Sequence, residues 1–425
     1  MITLYSLLLR CAVPVMLLRL LWRSRRNPDY RARLVERLAF DLPNRAPGAP
    51  APLWVHAVSV GETLAIAPLV EALLNADSQR PVLMTSTTPT GAAQVRRLFG
   101  NRVEHCWVPF DTPGSAARFL NHWCPVALVL VETELWPNII RACQGRHIPI
   151  MLANGRLSAR SARGYARIGA VARPAIAALS VIACQQRADA RRFRALGARE
   201  EVVRVAGSIK FDLPMPKLVQ QRDDISRALA IGSGRWIWVA ASTHRGEDEL
   251  VLSAFKALKA QHPSALLILA PRHPERSAEI ERDLLIGRPF RVSRRSQQQA
   301  VGDLVDILLL DTLGELAALT GLADAVFVGG SLIDHGGHNP LEAAAFGRAV
   351  ISGPHCVNFA TIYRDLRRCG GVREVASSQT LAAVVTELAS DPALCAAMGD
   401  AGQDYVAANK GALACQYTLL EALLR

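Results

Sequence analysis

The 425-residue chain is half hydrophobic and free of low-complexity tracts, which excludes a disordered polymer and, at this length, a single ordinary core. Nine cysteines without a CxxC exclude a disulfide framework and a zinc ribbon, and read as buried small hydrophobes in a reducing compartment. The net charge of +12 sits in the first half: residues 1–210 hold 28 Lys and Arg against 13 Asp and Glu, residues 211–425 hold 21 against 24. An anionic partner is therefore expected on the first half. Aromatics, at 6%, are too few for a single-stranded nucleic-acid reader, so nucleic acid is not expected as a partner.

Residues 1–22 form an apolar stretch cut by Arg10 and Arg19, without a small-residue cleavage site. Thr3, Ser6 and Arg10 share a helical face, so the first half can also lie in an interface. Arg23, Arg25, Arg26, Arg31, Arg33 and Arg37 follow, a cluster that stays on the cytoplasmic side. An uncleaved membrane anchor with a cytoplasmic body is expected at a cell's inner membrane; a buried N-terminal helix is the alternative. After the Pro-rich linker 42–52, apolar strands alternate with helices: 53–60, 81–85, 103–108, 126–131, 148–152, 181–184 and 202–206. Strands apolar on both faces imply a parallel sheet covered by helices, here a Rossmann-like domain over 23–211. A break with Pro214 and Pro216 spans 212–224. The pattern restarts at 236–241, 265–270, 290–292, 307–310, 325–328 and 349–351, a second domain over 225–405, and 406–425 is a helix free to return to the first. Motifs at the carboxyl ends of the strands should converge on a cleft between the two domains.

The stretch 326–350, VFVGGSLIDHGGHNPLEAAAFGRAV, carries the densest chemistry. Gly329-Gly330 and Gly336-Gly337 line a loop that feeds a helix start at Asn339-Pro340, where bare amides suit phosphate and Glu342 suits a ribose diol. VHAVSVGET places Glu62 in a first turn, where the positive helix end favours the ionised form a general base needs; Glu is also ordinary there. VLVETELWPN ends a strand with Glu132 and Glu134, either a functional pair or a structural one. Arg156, Arg160, Arg163 and Arg167 recur at offsets of 4, 3 and 4, an acid-free stripe for phosphate or an anionic lipid surface. Lys210 is the first lysine of the chain and ends the last strand of the first half. Arg272 and His273 end one strand of the second half, while Asp311, Gly314 and Glu315 follow another. With no Asp-x-Asp pair, and His335 and His338 read as polar loop residues, no metal is expected; charge neutralisation falls to Arg, Lys and helix dipoles.

The ordered motifs HAVSVGE, ETELWPN, the NxRLSxRSxxGY segment, GSIKFD, PRHPER, DTLGEL and GGSLxxxGGHNPLEAA resemble those of the 3-deoxy-D-manno-octulosonic acid (Kdo) transferases, over essentially the whole chain. The resemblance implies a GT-B fold with the acceptor on the first domain and CMP-Kdo on the second. It implies Glu62 as proton acceptor and Glu132 and Lys210 as transition-state stabilisers. Arg272, His273, Leu313, Gly314, Glu315, Asn339, Pro340, Leu341 and Glu342 would bind CMP. The implied reaction is inverting transfer of Kdo to a lipid A precursor (lipid IVA, a tetraacyldisaccharide bisphosphate), with CMP-Kdo as substrate and no cofactor. Gly155 departs from the family's alanine and puts only local geometry in question.

Overall fold

Apolar runs bounded by Gly, Pro and N-cap residues become strands wherever helices can cover both faces, and this chain does so twice. The computed structural model describes residues 1–425 apart from 47, 233, 298 and 299, in two compact units: Met1–Asp212 with Lys410–Arg425, and Leu213–Asn409.

In the first unit seven parallel strands lie in the order β3-β2-β1-β4-β5-β6-β7, namely β1 Leu53–His56, β2 Val82–Ser86, β3 Glu104–Trp107, β4 Ala127–Val131, β5 Ile150–Gly155, β6 Val181–Cys184 and β7 Val203–Val205. Side chains alternate between two cores, as the period of two requires. Leu53, Val55 and Val129 join Ile66 and Leu69 on one face, while Trp54, Leu128 and Leu130 join Phe119 and Ile140 on the other. The sheet reverses direction at β1, which pairs β2 on one side and β4 on the other. Such a reversal leaves a crevice at the carboxyl ends of the two central strands.

The second unit repeats the design. Its strands are β8 Ile237–Thr243, β9 Leu266–Pro271, β10 Val292–Arg294, β11 Ile307–Leu309, β12 Ala325–Val328, β13 Ala349–Ser352 and β14 Val372–Glu374, in the order β10-β11-β9-β8-β12-β13-β14. The reversal now falls between β8 and β12. β14, whose Val-Arg-Glu sequence is not an apolar run, escapes the strand pattern because only one side of it is paired.

Three expectations change. The break placed at 212–224 is mostly helix, Met215–Leu229, which buries Leu218, Ile225 and Leu229; its prolines sit at the helix start, where a missing N–H costs nothing. The C-terminal segment is two helices, Pro392–Ala408 and Ala412–Leu424; the first closes at Asn409 and the second starts from Gly411, whose φ is 100°. The second belongs to the first unit: Asp212 accepts the N–H groups of Gly411 and Leu413 at 2.7 and 2.8 Å, and buried Gln416 accepts that of Asn154 at 2.8 Å. Finally, Cys11, Cys124, Cys369 and Cys415 are exposed, so only some of the cysteines act as core residues.

The N-terminal helix Ile2–Arg23 is long and apolar enough to cross a membrane and leaves Leu4, Leu7, Leu8, Val15, Leu18 and Trp22 exposed. Ser6 does not face outward with Arg10. It is buried, donating to Asn138 Oδ1 at 2.8 Å, while Tyr5 donates to Asp111 at 2.8 Å.

Candidate active site

In the first unit the crevice between β1 and β4 collects the acidic motifs. β1 runs into Ser59, the N-cap of helix Val60–Ala76, and Glu62 folds its carboxylate back onto the N–H of Val58 and the Ser59 hydroxyl. Burial pushes the Glu62 carboxyl up to about 7, against those hydrogen bonds, and the neighbouring carboxylates of Glu134 and Glu132 add to the rise. The helix end therefore does not hold it ionised as its position in the sequence suggests: burial outweighs the dipole. A carboxyl that titrates near neutrality is matched to taking a proton in turnover.

β4 delivers the other two carboxylates. Glu132 sits at φ 61°, a conformation non-glycine residues rarely adopt, fixed by its N–H donating to Ala153 at 2.9 Å. Its carboxylate accepts from Lys210 at 3.3 Å. Glu134 is pushed up by burial and by Glu132. The geometry thus gathers Glu62, Glu132, Glu134 and Lys210 at one crevice; Glu134's influence on Glu62 is what the sequence pattern did not disclose.

The same loop meets the arginines. Tyr165 donates to the Thr133 carbonyl at 3.1 Å, tying helix Ala159–Arg167 beside the Glu132–Glu134 turn. Arg160, Arg163 and Arg167 lie along that helix, whereas Arg156 precedes it, leaving β5, so the four do not form one continuous helical stripe. All four are exposed, and none makes an ion pair among the described residues.

The second unit places its motifs at the β8–β12 crevice, with one reassignment. The amides of the Gly329-Gly330 loop are not bare. Glu247, fully buried at the start of helix Asp248–Gln261, accepts the N–H groups of Gly330, Ser331 and Leu332 at 2.7, 3.0 and 2.9 Å and that of His244 at 3.0 Å. The anion these amides hold is the protein's own. Gly329 is required here, since a Cβ would come within 2.5 Å of the Ser242 carbonyl.

Beyond the loop, helix Leu341–Ala345 is only five residues long, and Asn339 Oδ1 accepts the Leu341 N–H at 3.2 Å. Pro340 and Leu341 are buried, while Glu342 is half-buried and its carboxylate makes no hydrogen bond or ion pair among the described residues; burial raises it to about 6. Arg272 and His273 stand exposed after β9, where the Arg272 N–H donates to Thr243 at 2.9 Å. After β11, Leu313 is exposed and Gly314 takes φ 89°. The Glu315 carboxylate is committed to Arg295 at 2.7 Å and to the Thr312 hydroxyl, and its carbonyl accepts the Leu319 N–H at 3.0 Å. His335 and His338, read from the sequence as isolated polar residues, meet His244 in a cluster. A separate cavity of about 520 Å³, lined by Arg235, Trp236, His262, Asp324 and Arg348, opens at the amino ends of the strands, away from these motifs.

Two doubly wound units, one with a neutral-titrating carboxyl at its switch point and the other with nucleotide-compatible side chains at its own, define a glycosyltransferase of the GT-B fold. Residues 32–213 match the family described as 3-deoxy-D-manno-octulosonic-acid transferase (kdotransferase), and residues 237–405 match glycosyl transferases group 1. The 3-deoxy-D-manno-octulosonic acid transferase of Haemophilus influenzae is 40% identical over 99% of this chain and 97% of its own length. That of Bordetella pertussis is 37% identical over 96% of each. The solved UDP-GlcNAc 2-epimerase of Neisseria meningitidis shares the fold, with a TM-score of 0.58 at 15% identity over 87% of this chain and 99% of that one. The chain belongs to the Kdo transferase family.

Proposed function

We propose that this glycosyltransferase takes Kdo from CMP-Kdo and attaches it, with inversion, to a lipid A precursor such as lipid IVA, at the cytoplasmic side of the inner membrane. The observation that carries the mechanism is the Glu62 carboxyl, raised to about 7 beside Glu132 and Lys210. Ionised Glu62 takes the proton of an acceptor hydroxyl as that oxygen attacks the anomeric carbon. The bond from that carbon to the phosphate oxygen breaks, and CMP leaves with the electron pair. Lys210, held by Glu132, offers a positive charge to the developing transition state.

For the donor, Arg272 and His273 supply charge and hydrogen bonds to the phosphate. The backbone at Leu313, Gly314 and Glu315 and the turn Asn339–Pro340–Leu341 hold the nucleoside, while Glu342 accepts from the ribose hydroxyls. Cationic side chains take the part that a divalent metal plays elsewhere, and no cofactor is needed. On the first unit Arg156, Arg160, Arg163 and Arg167 meet the acceptor's phosphates and the anionic membrane surface, to which the exposed apolar helix Ile2–Arg23 anchors the chain. The test is direct. Purified protein with CMP-Kdo and a lipid A precursor should yield a product heavier by Kdo in the mass spectrum. A product formed from a UDP-sugar but not from CMP-Kdo would refute the donor assignment.

A further inference from the structure

Three imidazoles converge at the crevice of the second unit, and none of them belongs to the donor-binding set above. His244 directly follows β8, displaced by a bulge at Ser242, whose φ is 56°. His335 and His338 come from the loop after β12. Nε2 of His244 lies 2.8 Å from Nε2 of His338, with the rings nearly parallel at 7°. The His335 ring is 4.0 Å from that of His244. Gly330 makes room for them: a Cβ there would press on His338 at 3.2 Å and His244 at 3.5 Å.

The surroundings lack a counter-ion. Among the described residues no carboxylate pairs with any of the three. Glu247 is used up by four amides, Asp248 by Thr243 and Arg276, and Asp334 lies 3.8 Å from His355. Arg272, His273 and Arg276 face the cluster from the β9 side, Tyr363 donates only to the His338 carbonyl, and Glu342 follows on the next helix. Nor are three His, Cys, Asp or Glu side chains grouped to hold a metal ion among the described residues. A cluster of three proton-accepting rings with nearby guanidinium groups and no paired carboxylate is suited to an anion that arrives from outside.

We propose that His244, His335 and His338 form the subsite for the phosphodiester of the donor nucleotide, and that the cluster draws a proton from solvent when the anion binds. This rests on the assignment of the donor to the second unit. In the free protein His244 and His338 are held down to about 4, by burial first and then by the neighbouring imidazoles and Arg272, so the pair is neutral at pH 7. A bound negative charge reverses the balance, raising the imidazole pKa and coupling affinity to pH. The proton taken up goes to the ring nitrogen that the Nε2–Nε2 bond leaves bare, so that bond is kept while the cluster gains the positive charge the phosphate attracts.

Calorimetry with cytidine 5′-methylphosphate, a diester whose single charge stays constant between pH 5.5 and 8, tests this against cytidine, which carries the ribose contacts alone. In the wild-type protein the ratio of diester to cytidine affinity should rise roughly tenfold or more from pH 8 to pH 5.5. The double variant His244→Gln/His338→Gln should lose that slope and most of the ratio while binding cytidine as before. Should the half-buried pair be needed for folding, His335→Gln, on an exposed ring, should still lower the ratio several-fold. A flat wild-type ratio, or a double variant that keeps the wild-type slope, overturns the subsite while leaving the donor assignment standing. Failure of the wild-type protein to bind either ligand overturns both.

Discussion

Replacing Glu62 with Gln removes a charge but keeps an oxygen able to accept from the Val58 N–H, so the helix start should persist. Two consequences of opposite sign follow. Turnover should fall by about 10²–10⁴, the usual contribution of a general base. The rise of kcat/KM with pH, centred near 7 in the wild type, should disappear with it. Stability should move the other way. The Glu62 carboxyl is raised in the folded state, so its ionisation works against folding: the penalty is absent below pH 4.5 and complete above about pH 7. A rise from 4.5 to about 7 corresponds to roughly 3 kcal/mol at about 1.4 kcal/mol per pH unit, and solvent access to a half-buried group trims that to about 2 kcal/mol. For a unit of some two hundred residues this is roughly 4–8 °C in Tm at pH 8. Scanning calorimetry at pH 8 and pH 4.5, with initial rates on CMP-Kdo and lipid acceptor, reads both effects. A variant keeping more than a tenth of wild-type rate would exclude Glu62 as the base, and an unchanged Tm at pH 8 would refute the buried-carboxyl account.

On the donor side, Glu342→Ala should weaken CMP binding by removing a ribose acceptor and Arg272→Ala by removing charge; only the second loss should shrink as salt rises, and parallel salt dependence would reverse the assignments. Arg160→Gln with Arg163→Gln should raise the KM for the lipid acceptor by roughly tenfold or more, at about 1 kcal/mol for each basic group near an anionic surface. Because both side chains are exposed and unpaired with any acid among the described residues, Tm should hold; a lowered Tm with unaltered KM would assign them to structure instead. Glu247→Ala strands four buried amides and should cost the second unit about 3 kcal/mol or more, read as an earlier chemical-denaturation midpoint; a loss under about 1 kcal/mol would mean water replaces the carboxylate.

What the chain discloses about itself depends on how far each partner lies along it. β12 is readable because Ala325–Val328 is an apolar run that needs no partner's identity to be recognised. Glu62, Glu132 and Lys210 stand out because each sets a charge shortly after an apolar strand, although the structure places Lys210 on the turn Ile209–Phe211 and not on the strand itself. The role of Glu247 is hidden, since three of the four amides it binds are more than eighty residues away and only the β8–β12 pairing brings them to it. The histidine cluster is hidden for the same reason. His335 and His338 look like loop polarity until β8 brings His244 beside them. Pro214 and Pro216 mislead in a local way: the same residues that open a helix also mark linkers.

The return of residues 410–425 has a consequence for how the protein is made. The first unit is not contiguous: the segment carrying Gln416 and Leu420 into its core is translated only after the whole of the second unit. At about 5–20 residues per second, the ribosome spends on the order of ten to forty seconds between Asp212 and that segment. Through that interval Asn154 lacks the Gln416 oxygen for its N–H, and Asp212 lacks the Gly411 and Leu413 N–H groups. The second unit, encoded in one piece, can close first. A stop codon at residue 410 would therefore leave a complete second unit attached to a first unit that lacks the helix Ala412–Leu424.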